Sequence, residues 1–304
     1  MYKRKSIGIT CAILAACIYG FTPILAKIAY IDGSNTITLT FFRNLFSFPV
    51  LFFMLRIKGI GVRVARKEFW ILLLMSVLGA FATGLMLYGA YNYISVGLTT
   101  CMHNIYPVLV AVGSVVIFKD RVSRTKVLAL ALALGGLWII LDGDLSLNLF
   151  GVAMALGSGL VYAAYLLIMD KCGMNKLNPF LISFYCSTTA SVLLFLFGTA
   201  TSQLVYRMTP RAWLFTFLMA MLVSVLANSL VPMAVKRVGP TVTSILGMLE
   251  PIVSVIMGIL FLSEVLTLKS LMGCGLVIAA VITLTLEKEK GKSKALPEDA
   301  EAAA

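Results

Sequence analysis

The chain has 304 residues, of which 60% are hydrophobic and 12% are charged, and its formal net charge is +12. Because a soluble domain carries about 25% charged residues, this chain has too few of them to cover a water-facing surface. Its basic residues stand in short stretches between apolar runs, which indicates orientation in a membrane and argues against nucleic acid as a partner.

Ten apolar runs of bilayer-spanning length follow one another along the chain, joined by short connections. They fall at about residues 6–30, 35–56, 69–93, 96–118, 124–142, 149–170, 178–202, 211–235, 240–262 and 267–287. Since the hydrocarbon core offers the backbone no hydrogen-bond partners, each run is predicted to be a helix. Residues 288–304 are basic and then acidic, which predicts a disordered cytoplasmic tail.

The lysines and arginines are distributed unevenly between the two predicted sides of the membrane. Twenty lie at the N-terminus, in the connections after even-numbered helices or in the C-terminal tail, four lie on the other side, and Arg43 lies inside the second run. Because basic residues accumulate on the cytoplasmic side, this count predicts a multi-pass protein of the cell (inner) membrane with both termini in the cytoplasm.

The two halves of the chain match each other at an offset of 143 to 144 residues. The matched positions include small residues four apart, an asparagine, a proline and an acidic residue: Gly8, Ala12, Ala16, Gly20, Asn35, Pro107 and Asp120 against Gly151, Ala155, Gly159, Ala163, Asn178, Pro251 and Glu264. Five helices per copy is an odd number, so the second copy enters the membrane from the opposite side. The sequence therefore predicts an all-α membrane protein with ten transmembrane helices as two inverted five-helix repeats, 1–144 and 145–287, an arrangement that recurs in secondary transporters.

Several short motifs stand out along the chain: Arg43, the segment from Pro107 to Asp120, the segment from Glu250-Pro251 to Glu264, and Gly273 and Gly275 in the last helix. With them the chain resembles the drug/metabolite transporter superfamily, in its ten-helix EamA-like branch. The resemblance implies transport of small solutes, often export of amino acids, amines or other metabolites. It also implies a central cavity lined by helices 1, 3, 4, 6, 8 and 9.

Glu250 is the most specific candidate for a functional residue. It lies near the middle of the run 240–262, where a charged side chain costs about 2.5–3.5 kcal/mol and usually faces a cavity or a partner. Pro251 lacks an N–H and leaves the carbonyl of Gly247 free. Glu250 could bind protons or balance a cationic substrate, or it could be a neutral acid bonded to a neighbouring helix.

His103 is the only histidine, and it shares one helical face with Thr99 and Tyr106. It could relay protons to Glu250, which the second half carries where the first half has Tyr106, or it could bond to a neighbouring backbone. Arg43 could bind a substrate carboxylate, or it could pair within the bundle or reach the membrane surface.

Aromatic and amide side chains complete the set of candidate substrate-binding residues. Aromatic faces hold apolar or cationic solutes, although they are also ordinary packing residues. The candidates are Tyr106 on predicted helix 4 and, on predicted helices 1, 3, 6 and 8, Tyr19, Tyr88, Asn92, Tyr162, Tyr165 and Asn228.

These observations predict a secondary transporter, with export by alternating access and with proton coupling as an open option. The sequence has no GxxxxGK[ST], HExxH or GxSxG motif, and we assign no catalytic residues, metal ligands or cofactors. The lipid bilayer and a small-molecule substrate are the expected partners, and the oligomeric state is left open. An intramembrane enzyme and a channel-like or sensory membrane protein are the alternatives.

Overall fold

The computed structural model describes residues 2–94, 96–119, 123–140, 148–262 and 268–293, and these residues are predominantly helical. We number the α-helices of this part of the chain in order. They are α1 Tyr2–Ile31, α2 Thr36–Ile57, α3 Arg66–Ala90, α4 Val96–His103, α5 Tyr106–Val116, α6 Arg124–Ile140, α7 Leu149–Lys171, α8 Pro179–Ala200, α9 Pro210–Val238, α10 Pro240–Gly247, α11 Glu250–Leu262 and α12 Leu268–Ser293.

Six helices in the described residues are long and apolar enough to cross a membrane. They are the segment Lys5–Ile31 of α1, together with α2, α3, α7, α8 and α9. Each has at least 22 residues, which exceeds the roughly 20 that a bilayer requires. The chain is therefore an α-helical, multi-pass membrane protein.

Two of the predicted continuous helices are each broken in the middle. The run 96–118 forms α4, which ends at His103, and α5, which begins at Tyr106. The run 240–262 forms α10, which ends at Gly247, and α11, which begins at Glu250. In both runs a proline follows the first residue of the second helix; it lacks an N–H and disfavours helical geometry in the residue before it. The prediction of one unbroken helix at these two places was wrong.

The remaining two predicted spans are α6 and α12. Helix α6 has 17 residues, and the segment after it, 141–147, lies outside the described residues. Helix α12 continues to Ser293, so the first part of the predicted tail is helical, and 294–304 lie outside the described residues. The matched acidic residues Asp120 and Glu264 lie outside them as well.

Two of the long helices contain a wider, π-helical stretch. It covers Val77–Ala82 in α3 and Ala220–Ala227 in α9. The two stretches begin 143 residues apart (220 − 77 = 143), which is the offset found in the sequence. Such stretches often occur at functional sites, because they redirect the side chains that follow.

Matched asparagines begin two further helices. The side chain of Asn35 accepts a hydrogen bond from the backbone N–H of Thr38 at the start of α2, and Asn178 accepts one from Phe180 at the start of α8. Asparagine is a favoured cap because its side-chain oxygen satisfies an N–H that the helix cannot. The sequence match between Asn35 and Asn178 therefore has a local structural cause.

The helix contacts are similar in the two halves: a helix of the first half packs on helices of the second half in the way that its counterpart packs on helices of the first half. Helix α2 packs on α8, and α6 packs on α12. Helix α1 packs on the second half of α9 and on α10 and α11, while α7 packs on the second half of α3 and on α4 and α5. This arrangement brings both broken spans to the inside of the bundle.

Glycines on α1 and α7 allow the two helix breaks to approach closely. A Cβ atom on Gly20 would lie 2.7 Å from the carbonyl oxygen of Glu250, and one on Gly159 would lie 2.7 Å from the carbonyl oxygen of His103. Real Cβ atoms essentially never come so near, so only glycine fits at these positions. The rows of small residues thus permit close contact between helices.

Candidate functional site

A cavity lies between the helices at the level of the two breaks. It contains about 600 Å³ of space free of protein atoms, part of it open to solvent. Its lining comes from α1, α2, α3, α4, α5, α7, α9 and α11, together with the turn after α3: Tyr19, Thr22, Arg43, Gly79, Thr83, Gly84, Leu87, Tyr88, Tyr91, His103, Tyr106, Tyr162, Val223, Asn228 and Glu250. Eight of the ten predicted site residues are among them.

Glu250 lies at the first position of α11 and is 7% exposed. Within the described residues its carboxyl group has neither a hydrogen bond nor an ion pair, and the phenols of Tyr19, Tyr106 and Tyr162 are its electrostatic neighbours. An ionised carboxylate in a buried site is costly unless it is paired. An ionised Glu250 would therefore need a positively charged partner, which no contact among the described residues supplies.

Arg43 carries the opposite charge into the same cavity from α2. It is 4% exposed, its Nη1 donates to the hydroxyl of Ser224 at 3.0 Å, and its guanidinium carbon lies 5.3 Å from the ring centroid of Tyr88. Its Nε has no hydrogen-bond partner, and no ion pair joins it to a carboxylate in the part of the chain that the structure describes. Arg43 thus bonds to a serine of another helix and lines the cavity, without a carboxylate partner among the described residues.

An aromatic wall adjoins Glu250. The ring centroids of Tyr106 and Tyr162 are 4.9 Å apart at an interplanar angle of 86°, and His103 lies 5.3 Å from the first ring and 5.6 Å from the second. The hydroxyl of Tyr106 reaches across to α10, where it contacts the carbonyl oxygen of Ser244 at 3.4 Å. A Cβ atom on Gly247 would collide with that hydroxyl, so the break in the second half leaves room for a tyrosine of the first.

Two lining residues from different halves of the chain are joined by a hydrogen bond between their side chains. The hydroxyl of Tyr19 in α1 donates to the side-chain oxygen of Asn228 in α9 at 2.8 Å. Both residues also line the cavity. The bond therefore lies where a solute or a conformational change would act on it.

His103 is held by a serine that the sequence analysis did not identify. Its Nδ1 lies 2.8 Å from the hydroxyl oxygen of Ser158 in α7, and that hydroxyl also contacts the carbonyl oxygen of Ala155 at 2.6 Å. His103 is 4% exposed, and Ser158 is fully buried. Nothing in the local sequence marks Ser158 as the partner, because the contact joins residues 55 positions apart.

Two predicted site residues lie elsewhere. The ring of Tyr165 stacks on that of Tyr162 at 5.7 Å and covers Gly79, where a Cβ atom would lie 2.6 Å from the ring. Asn92 is exposed in the turn after α3, and its amide donates to the hydroxyl of Thr36 and to the carbonyl of Gly89. Tyr165 thus supports the wall from behind, and Asn92 ties the end of α3 to α2.

Several lining residues were not predicted because they carry no charge or amphipathic ring that stands out in an apolar run. Thr22, Gly79, Thr83, Gly84, Leu87 and Val223 are of this kind, and Tyr91 lies in the turn beyond α3. Gly84 has a specific role, since a Cβ atom there would lie 3.3 Å from Nη2 of Arg43. A small residue at this position makes room for the guanidinium.

The cavity thus combines a guanidinium group, a carboxyl group, aromatic rings and neutral hydrogen-bonding groups. No group of three or more histidine, cysteine or acidic side chains among the described residues could hold a metal ion. Concave sites with a few placed polar groups among apolar and aromatic ones are typical of small-molecule binding.

Several known proteins are similar to this chain in sequence. An uncharacterised transporter of Archaeoglobus fulgidus is 28% identical over 286 residues, which cover 92% of this chain and 97% of that protein. The uncharacterised transporter YcbK of Bacillus subtilis is 22% identical over 96% of this chain and 97% of its own length. The uncharacterised inner membrane transporter YhbE of Escherichia coli is 26% identical over 64% of this chain and 63% of its own length.

A solved crystal structure has the same fold, with a TM-score of 0.76 at 14% sequence identity over 94% of this chain and 98% of that one. The family model of the EamA-like transporters matches this chain twice, at residues 6–142 and 149–286. The first match lies within residues 1–144 and the second within residues 145–287. The chain belongs to the EamA-like transporter family.

Proposed function

We propose that this membrane transporter is a secondary carrier of small zwitterionic or cationic metabolites, such as amino acids or amines, and that it works by alternating access. The observation that carries the proposal is the presence of Arg43 and Glu250 in one cavity without an ion pair between them. A carboxylate of the solute would pair with the guanidinium, and its ammonium group would pair with the carboxylate of Glu250.

The aromatic wall supports the same class of solute. Tyr106 and Tyr162 adjoin Glu250, and aromatic faces attract ammonium groups as well as apolar side chains. A strongly anionic solute would require several basic residues, whereas Arg43 is the only lysine or arginine in the described lining.

The proposed architecture is ten transmembrane helices in two inverted five-helix repeats. Four observations support it. The family model matches twice, the π-helical stretches begin 143 residues apart, and two spans are broken after His103 and after Gly247. The contacts between helices are also similar in the two halves. With this architecture the cavity lies at the interface of the repeats, where alternating access would expose it to each side in turn.

The direction of transport that we propose is export across the cell (inner) membrane, with both termini in the cytoplasm. The excess of basic residues in the connections on one side supports this orientation, and one relative is described as an inner membrane transporter. Glu250 is the group through which protons would couple to export, because a proton and an ammonium group would compete for its carboxylate.

The test combines ligand binding and flux. Purified protein is screened by thermal shift against amino acids, amines, nucleosides and organic acids, since a ligand that binds the folded state raises its melting temperature. We expect amino acids or amines to raise it and to show saturable flux in proteoliposomes. A shift with organic acids alone, or flux that does not saturate, would overturn the proposal.

Glu250→Gln tests the central residue, since it removes the charge and keeps the shape. We expect about 10- to 150-fold weaker binding of amines, which corresponds to the loss of a charge-assisted hydrogen bond, and no net transport by protein that still inserts. Glu68→Gln is the matched control, because Glu68 lies at the start of α3 and forms a cap that glutamine can also form. Flux and pH dependence of Glu250→Gln equal to those of the original protein would contradict the assignment.

A further inference from the structure

The hydrogen bonds around Ser158 determine which nitrogen of His103 carries a proton. A serine hydroxyl has a single hydrogen to donate. At 2.6 Å the hydroxyl of Ser158 contacts the carbonyl oxygen of Ala155, which can only accept. The contact of 2.8 Å between that hydroxyl and Nδ1 of His103 therefore requires Nδ1–H to be the donor. In the neutral ring this leaves Nε2 with a lone pair.

The packing around His103 directs Nε2 toward the cavity. Nδ1 is bound to α7, and the rings of Tyr106 and Tyr162 pack against the imidazole. Among the described residues Nε2 has no hydrogen-bond partner, and the atom is not fully buried. Because His103 lines the cavity, the exposed surface of Nε2 faces the cavity.

We propose that Ser158 is a positioning residue that holds His103 in the Nδ1–H form, and that Nε2 accepts a hydrogen bond from the ammonium group of the solute. The second half of this statement rests on the proposed function. With His103 in this form, the region around His103 and Glu250 is rich in hydrogen-bond acceptors, while Arg43 supplies hydrogen-bond donors elsewhere in the lining. The solute would therefore bind in one orientation.

The single histidine makes the first half directly measurable. Protein labelled with ¹⁵N-histidine gives signals from His103 alone, since the chain has one histidine. Two-bond correlations from the ring nitrogens to the ring carbon-bound protons distinguish the tautomers. Without any solute we expect a protonated, pyrrole-type Nδ1 and an unprotonated, imine-type Nε2. A protonated Nε2 with an unprotonated Nδ1 would overturn the assignment, whatever the protein transports.

Two serine variants separate positioning from packing. In Ser158→Ala the Nδ1–H loses its acceptor, so we expect a mixture of tautomers and about 2- to 12-fold weaker binding of primary amines. Ser191→Ala is the control, because Ser191 is also buried and its hydroxyl bonds only to a carbonyl of its own helix. An unchanged spectrum in Ser158→Ala would contradict the positioning role, and the spectrum of the unaltered protein remains decisive if this variant does not fold.

The second half is tested with two amines of the same charge. Phenethylamine has an ammonium group that can donate, whereas its N,N,N-trimethyl derivative cannot. We expect the first to shift the Nε2 signal and the second to bind without shifting it. Binding of phenethylamine with no change at Nε2 would refute the solute contact alone. Failure of both amines to raise the melting temperature or alter the spectrum would count against the proposed function as well, while leaving the tautomer result in place.

Discussion

Gly20 provides a sharp test of the packing around the site, through the variant Gly20→Ala. The new Cβ would lie 2.6 Å from Cβ of Val253 and 2.7 Å from the carbonyl oxygen of Glu250. Ordinary contact begins at 3.4 Å, so α1 and α11 must separate by up to 0.8 Å (3.4 − 2.6 = 0.8). Overpacking of this kind costs about 1–3 kcal/mol. Alanine also gains about 1 kcal/mol over glycine in a helix, which partly offsets the cost.

A second glycine variant isolates the steric part. A Cβ atom on Gly135 in α6 would meet nothing within 4 Å, so Gly135→Ala gains the helix preference without the collision. We expect Gly20→Ala to be about 1–3 kcal/mol less stable than Gly135→Ala, measured by unfolding the two purified proteins in the same detergent. Equal stability of the two variants would refute the close contact of α1 with the second break.

Three further outcomes follow from contacts in and near the cavity. Arg43→Gln should leave the melting temperature unchanged or higher, because the substitution leaves no carboxylate without its partner. It should weaken the binding of amino acids by about 10- to 150-fold. Equally weakened binding of amines that lack a carboxylate would contradict this. Tyr19→Phe and Asn228→Ala should show a coupling of about 0.5–1.5 kcal/mol in a double-mutant cycle of unfolding free energies, and strictly additive effects would argue against their bond. Asn35→Ala should lower the free energy of unfolding by about 0.5–2 kcal/mol, because the helix cap is lost. The loss should exceed that of Asn178→Ala, because Asn35 also donates to the carbonyl of Gln203 in the other half. The reverse order in thermal unfolding would show that this bond is unimportant.

Most of the candidate residues do line the cavity, because the features that mark them in the sequence are local. Pro107 and Pro251 remove a backbone donor wherever they stand, and a buried charge such as Glu250 requires a cavity or a partner. The breaks themselves were missed because apolar composition continues through them. Composition reports where the chain meets lipid, whereas a break depends on whether the surrounding helices accommodate the freed backbone.

Side-chain direction was the main source of error in the site. Tyr162 and Tyr165 are three residues apart on α7, so helical spacing places both on one face, yet only Tyr162 reaches the cavity, because Gly79 leaves space that the ring of Tyr165 fills. Ser158 could not be identified, since its role depends on a residue of another helix. Such partners become visible only when the helices are packed.

The π-helical stretches of α3 and α9 have a consequence for the cavity. A turn of this kind holds one residue more than an α-turn, so the residues after it are rotated about the helix axis relative to those before it. In α3 the stretch ends at Ala82 and Thr83 follows, and in α9 it ends at Ala227 and Asn228 follows. Thr83 and Asn228 both line the cavity. The two irregular turns therefore help to decide which polar side chains the two helices present to the cavity.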